Sequence, residues 1–562
     1  MQADILLRNA AISTLDPAQP RARCLAVADG RVVAVGSQSL DDLRGPRTRV
    51  FDLGGRAVVP GFVDAHVHFG SFALGRQQVD LDVATTLEDG LALLRAAAAS
   101  LPARAWLRGR GWDRNRWGRL PDAADLDRAV AERPAALASR DGHSLWLNTA
   151  ALQAAGIDRD TPPPAGGVIV KDVHGEPTGV LAENATDLVT AHMPRASEDD
   201  IRDAILAALP LAAAAGLTGI HNLEDSRSRA AFQALEDSGE LTLRVYHGVP
   251  RSELAHARER GLRTGAGVPG PRSARGDAPP RTAAREPGLR TGDGERGAGG
   301  SLLRIGPVKL FADGALGSRT AFMLEPYEGR DDNFLGVPTL EPGELAEAMR
   351  LAADAELDLA VHAIGDAAVR RVLDVYAQTR SAYPPLAARL LRIEHAQLVH
   401  PADISRFASL GVVASMQPIH ATSDWRAADA HWGSRARHGY AWADLLRAGA
   451  QLAFGTDAPV ERLEPLPSIY AAVTRLDQHA EPAGGWYPHQ RLTLDEAVRA
   501  YTTGSAAAER ATARRGSLAP GMDADLVVLS PDPFSQEPAA LRDTRVELTV
   551  VGGRITFDGG SW

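Results

Sequence analysis

The stretch Val58-Val-Pro-Gly-Phe-Val-Asp-Ala-His-Val-His68 decides how this chain is read. Its apolar run from Gly61 to Val67 has the composition of a strand buried on both faces, and it ends on histidines one residue apart. Alternate residues of a strand share a face, so His66 and His68 point the same way. A pair placed like this is read as two metal arms or as hydrogen-bonded scaffold, and the rest of the chain has to decide between them.

Seven further runs rich in Val, Ile and Leu follow: Leu217 to Leu223, Leu241 to Tyr246, Ile305 to Phe311, Leu357 to His362, Leu390 to Ile393, Gly411 to Met416 and Ala450 to Phe454. They alternate with helical segments, a pattern that predicts parallel pairing and an α/β class. Eight such units close most naturally as a TIM-type (β/α)8 barrel, whose working face is the rim at the C-terminal strand ends. Three later runs end on the same chemistry: Leu359-Ala-Val-His362, Arg392-Ile-Glu-His395 and Ala453-Phe-Gly-Thr-Asp457. In a parallel barrel these groups converge on one rim, as a metal site requires and as scattered core histidines do not.

Both ends of the chain are β-rich and turn-punctuated. Ile5 to Leu7, Cys24 to Val27, Arg31 to Val35 and Ala57 to Val59 stand at one end; Asp525 to Leu529, Arg545 to Val551 and Arg554 to Phe557 stand at the other. They predict a small β-sandwich-like domain built from 1–58 and 510–562, around a barrel domain spanning 59–509. Residues 72–196 are too long for a crossover and read as an inserted region capping the barrel mouth. The stretch 266–300 is almost entirely Gly, Pro, Arg, Ala, Ser and acids, and Gly-Leu-Arg-Thr-Gly occurs at both 261–265 and 288–292. It reads as a disordered Arg/Gly/Pro-rich surface loop.

The 562 residues carry a net charge of −10, and only two of the 61 basic side chains, Lys171 and Lys309, are lysines. The arginine skew follows nucleotide bias and says nothing about fold. An acidic chain without clustered positive charge is a poor nucleic-acid binder. Its single cysteine, Cys24, excludes an intramolecular disulfide and a Cys-x-x-Cys metal or redox pair. No basic leader precedes an apolar run and no 18-residue apolar stretch occurs, so the expectation is a cytoplasmic protein without a membrane partner.

Lys309 lies inside an apolar strand, where a bare ammonium is costly to bury. Either it snorkels to the rim, or its neutral amine has captured carbon dioxide as a carbamate able to bridge two metal ions. Arginine is no substitute, because its guanidinium stays protonated. Lys171, in the polar stretch Val170 to Glu176, receives no chemistry.

At these residues the chain resembles the amidohydrolase superfamily of metal-dependent hydrolases. Val308-Lys-Leu-Phe-Ala-Asp-Gly-Ala-Leu-Gly-Ser-Arg-Thr-Ala321, Trp112-Asp113, Asp141-Gly-His143 and His362-Ala-Ile-Gly-Asp366 resemble its YtcJ-like branch, which includes N-substituted formamide deformylases. The resemblance implies two divalent metal ions, zinc by expectation. His66, His68 and Asp457 hold the more buried ion, His362 and His395 the more exposed one, and carbamylated Lys309 bridges them. It further implies a metal-bridged hydroxide as nucleophile, with Asp457 as the catalytic group that carries its proton to the leaving nitrogen. Trp112, Asp113, His143, Asp313 and Arg319 become candidates for substrate contact; Asp313 and Arg319 are equally readable as loop pins.

The implied reaction is hydrolysis of a C–N bond in a small N-acyl or N-formyl compound, and a homo-oligomer is compatible with it. The rivals are a mononuclear deaminase or an ester or lactone hydrolase of the same fold and, from another class, a non-catalytic scaffold or regulatory protein. A mononuclear site has no need of the lysine. A scaffold is free to lose ligands, yet all six positions here carry competent side chains.

Overall fold

The computed structural model describes residues 1–562 except 77, 102–104, 195, 269–300, 331–332 and 561. The loop expected at 266–300 therefore lies, from 269 onward, outside the described residues.

The centre is a barrel of eight strands: β1 (Phe62–Val67), β2 (Leu217–Asn222), β3 (Arg244–Pro250), β4 (Leu303–Phe311), β5 (Leu359–Ala363), β6 (Leu391–His395), β7 (Val413–Met416) and β8 (Gln451–Phe454). Sequential strands are neighbours throughout, and all seven ladders are parallel. Every residue of β1, β5 and β6 is buried, which explains why these segments read as continuous apolar runs.

All eight runs found in the sequence become barrel strands. The third is displaced: pairing begins at Arg244, because Leu241 and Leu243 pack into the core ahead of the strand.

No ladder joins β8 to β1; the segment after β8 closes that seam. The Asp457 amide donates to His66 O at 2.7 Å, and the His68 amide donates to Ala458 O at 2.8 Å. The buried Asp64 carboxylate accepts from the amides of His66 and Thr456, both at 3.0 Å, and from the Thr456 hydroxyl at 2.5 Å. Gly455 is required here, since a Cβ would stand 2.5 Å from the His66 nitrogen.

Both termini enter one six-stranded sheet, in the order Arg554–Asp558, Arg545–Val551, Leu526–Ser530, Ala57–Pro60, Ala11–Ser13, Arg21–Ala22. A second sheet holds Arg31–Gly36, Cys24–Ala28, Ile5–Arg8 and Arg49–Asp52. Strand alternation sets the packing. Val58, Leu526 and Val528 join the core shared with the second sheet, whereas Ala57, Val59, Val527 and Leu529 pack with the barrel core.

Between β1 and β2 the inserted region builds its own six-stranded sheet, in the order Gly167–Lys171, Pro177–Glu183, Ser144–Leu147, Ala135–Ser139, Leu107–Trp112, Val79–Asp80. The chain returns to the barrel through helix Glu198–Ala214, whose N-terminus is closed by a Ser197/Asp200 capping box. Among the described residues no helix is long and apolar enough to cross a membrane.

Candidate metal centre

Asp457 is the meeting point of the barrel rim. It follows β8 with a left-handed φ of 60°. Its Oδ1 lies 3.4 Å from His66 Nε2 and 3.3 Å from His68 Nε2. His66, in β1, and His68, just beyond its end, therefore face the same carboxylate.

His66, His395 and Asp457 present ligand atoms that all lie within 4.8 Å of one another. The His395 ring stands 4.7 Å from that of His66 and 4.6 Å from that of His362, centroid to centroid. Lys309 Nζ is 3.4 Å from His66 Nε2. All six residues expected as metal ligands thus gather on one rim. Side-chain burial does not separate the two expected ion sites: His362 and His395 are buried like His66, and His68 is the most open at 27 %.

The rings of His66, His395 and His362 are each anchored through one nitrogen by a group outside the six expected ligands, which turns the other toward the cluster. His66 Nδ1 contacts Glu394 Oε2 at 2.6 Å, His395 Nδ1 contacts Gln417 Oε1 at 2.9 Å, and His362 Nε2 contacts Gly314 O at 3.0 Å. Such anchors select a tautomer and turn the remaining nitrogen into an acceptor or metal ligand. Burial, reinforced by Lys309, lowers His66 to about 4. Burial also holds His362 and His395 well below the usual histidine range. The rings are therefore neutral, the form that binds metals.

Burial lowers Lys309 to about 8 against the opposing pull of Glu394 and Asp457. Asp457 is held well below the usual carboxylate range: His66, His420 and His68 outweigh the cost of burying it. Its Oδ1 is buried and receives no hydrogen bond. An acceptor oxygen without a donor, facing neutral imidazoles, fits a divalent cation, and this mixture of His and carboxylate suits zinc.

The substrate candidates divide. Trp112 is 2 % exposed and donates its indole N–H to Leu137 O at 2.7 Å, so most of it belongs to the core of the cap. Asp113 caps the short helix Arg114–Trp117 through the Asn115 amide at 2.8 Å. Asp313 accepts from the amides of Phe322, Ile364 and Gly365 at 2.8 to 3.0 Å, pinning the segment after β4 to that after β5.

His143 faces His362, with ring centroids 5.5 Å apart, and its Nδ1 lies 3.0 Å from Glu183 Oε2. Burial pulls its pKa down, but Glu183 prevails and pushes it up to about 9. Arg319 lies on the segment after β4 with a φ of 61°. Trp112, Asp113, His143 and Arg319 all line one cavity of about 430 Å³ that opens onto His362, His395 and Asp457.

Several contributors escaped the sequence reading. Glu394 joins His66 to Arg392, a fully buried arginine that donates to Glu394 Oε1 at 2.9 Å and to Ser415 Oγ at 2.9 Å. Strand alternation puts Glu394 and His395 on opposite faces; a φ of 72° at His395 turns its ring back to the rim. His420 Nε2 lies 3.3 Å from Asp457 Oδ2. It belongs to Met416-Gln-Pro-Ile-His420, directly after the seventh apolar run, and the rule that strand ends carry the chemistry would have found it.

Comparison with known proteins gives a consistent result. The amidohydrolase family model Amidohydro_3 matches residues 49–557. YtcJ of Bacillus subtilis strain 168, assigned by name to the amidohydrolases, is 34 % identical over 96 % of each chain. The N-substituted formamide deformylase of Arthrobacter pascens is 28 % identical over 99 % of this chain and 98 % of its own. Among solved structures, an uncharacterized metal-dependent hydrolase from Pyrococcus horikoshii superposes with a TM-score of 0.72 at 26 % identity, covering 95 % of this chain and 99 % of that one.

Proposed function

We propose, from the premise that the chain belongs to the amidohydrolase family, that it hydrolyses a C–N bond in a small N-acyl or N-formyl compound and depends on divalent metal for doing so. The observation that carries this reading is the gathering of His66, His395 and Asp457 within 4.8 Å, around a carboxylate oxygen that no donor satisfies. The similarity to a formamide deformylase supports the choice of bond.

In this reading His66, His68 and Asp457 hold one ion and His362 and His395 hold the other. Lys309, once its neutral amine had added to carbon dioxide and lost a proton to give a carbamate, would supply a ligand able to serve both. When bound, divalent metal supplies acidified water and a polarised carbonyl. The protein supplies the rest. Asp457, whose Oδ2 is engaged with His420, is the group that would accept the proton of the attacking water and return it to the leaving nitrogen. His143, kept cationic by Glu183, turns Nε2 to the substrate oxygen as a donor. The cap excludes bulk water and shapes the pocket. The terminal segments 1–58 and 510–562 form the β unit that supports the barrel.

Metal analysis of the purified protein, together with a screen of formamides, N-acyl amines, esters and lactones, tests this reading. The expected result is about two ions per chain, a mass increment at Lys309 under native conditions, and turnover of a formamide or N-acyl amine. One ion with an unmodified lysine selects the deaminase reading. Turnover confined to esters or lactones selects the other bond class.

A further inference from the structure

The cavity shared by the histidine cluster and the cap also holds arginines that the proposed hydrolysis does not use. Arg140 is spoken for: it donates to Glu461 at 2.7 Å and stands 3.3 Å from Asp82. Arg319 and Arg114 differ. Neither makes an ion pair within 4.0 Å among the described residues, and Arg319 Nε is buried with no hydrogen-bond partner. The two stand close enough that the charge of Arg319, after burial, is the main influence lowering Arg114.

Asp113 and Asp141 act on Arg114 through their charge, yet neither forms an ion pair with it. Asp113 Oδ1 caps the Asn115 amide at 2.8 Å, and Asp141 Oδ1 accepts from the Ser139 hydroxyl at 2.5 Å and the His143 amide at 3.1 Å. Half-buried guanidinium groups that no carboxylate engages directly are costly, and their planar forks match a carboxylate. The walls beside them are apolar, built from Leu120, Val168, Val180 and Leu316.

We propose that the natural substrate is a small amide bearing a carboxylate, and that Arg319, assisted by Arg114, holds this carboxylate while the amide carbonyl lies at the His/Asp cluster. The amide half of the statement rests on the hydrolase reading above; the anion half does not. Asp113 and Asp141 favour a monoanion, since a dianion in the same cavity meets their repulsion.

Arg319 is pre-positioned. Its amide donates to Leu316 O at 2.9 Å, and the adjoining Ser318 and Thr320 hydroxyls donate to Glu183, the same carboxylate that holds His143. One acidic side chain thus sets both the donor near the chemistry and the loop that reads the substrate.

The test uses binding first and turnover second. Calorimetry on the full-length, metal-loaded protein compares 3-phenylpropionate with its neutral amide, 3-phenylpropanamide, and with inorganic phosphate. The acid is expected to bind at least ~10-fold more tightly than either. Arg319→Met and Arg114→Met together are expected to remove that preference, and Arg319→Lys alone to keep part of it.

An acid that binds equally to the double variant is sitting on the metal ions, and the proposal falls. It falls too if phosphate binds more tightly than the acid. Thermal melts without ligand check that the variants fold. N-Formylphenylalanine is then compared with N-formylphenethylamine, which lacks only the carboxylate. Arg319→Met should raise KM for the first by roughly 10- to 100-fold, at least ~10-fold more than it changes KM for the second; equal changes in the two would overturn the carboxylate site. Arginine-dependent binding of the acid without turnover of any amide would overturn the hydrolase reading and leave the anion site standing.

Discussion

Two walls of one cavity are held in different ways. The groups gathered at Asp457 stand at or just beyond the ends of β1, β4, β5, β6 and β8, and each buried ring there is fixed by a second residue: Glu394 for His66, Gln417 for His395 and the Gly314 carbonyl for His362. Arg319 stands on the connection after β4 and Arg114 opens the short helix Arg114–Trp117 of the inserted region, and neither makes an ion pair among the described residues. Residues on strands are constrained by ladders on both sides, whereas residues on loops are free to change without disturbing the barrel. On the proposed reading, the strand ends cleave the bond and the connecting segments choose the substrate.

The largest effect expected from breaking this arrangement is at Lys309. Lys309→Ala should lose most bound metal and at least ~100-fold in turnover, with partial recovery on adding acetate or propionate, because a free carboxylate replaces the two bridging oxygens. Unchanged turnover and metal content would remove the bridging role. Next is Asp457→Asn, which should cost roughly 100- to 1,000-fold in kcat while more than half of the metal is retained. Parallel loss of metal and kcat would make Asp457 chiefly a ligand.

Glu394→Gln acts one shell further out. It should weaken metal affinity by about 10- to 100-fold, read by chelator competition, since His66 loses the acceptor that sets its tautomer. The smallest effect is expected from removing residues 269–300. The ends flanking 269–300 are already tied: Gly265 N donates to Ile305 O at 2.7 Å and Ile305 N donates to Ala266 O at 2.8 Å. Deleting 269–300 should shift Tm by less than ~2 °C and leave kcat/KM unchanged. A large shift would show that the segment contributes to the fold.

What the sequence disclosed follows the same division. Barrel strands were legible because burial on both faces leaves an uninterrupted apolar run, and a histidine or acid at the end of such a run has one rim to go to. Glu394 was not, because alternation places it away from His395 and only the left-handed turn at His395 brings both to the site. Trp112 showed the reverse difficulty: its motif pointed to the pocket, while its indole N–H serves the core of the cap. The pairing of His143 with Glu183 spans 40 residues and depends on how the strand Pro177–Glu183 lies in the cap sheet, a relation that no local spacing encodes.

The seam between β8 and β1 is closed by the amides of Asp457 and His68 in place of a ladder. Deuterium uptake at these two amides therefore times a single event, the parting of the barrel wall through its own active centre. If metal bridges that wall, the same amides should exchange far more slowly in the loaded protein than after chelation, while the ladder amides of β5 stay protected in both. The one seam closed without a ladder among the described residues is the one that a bound metal would clamp.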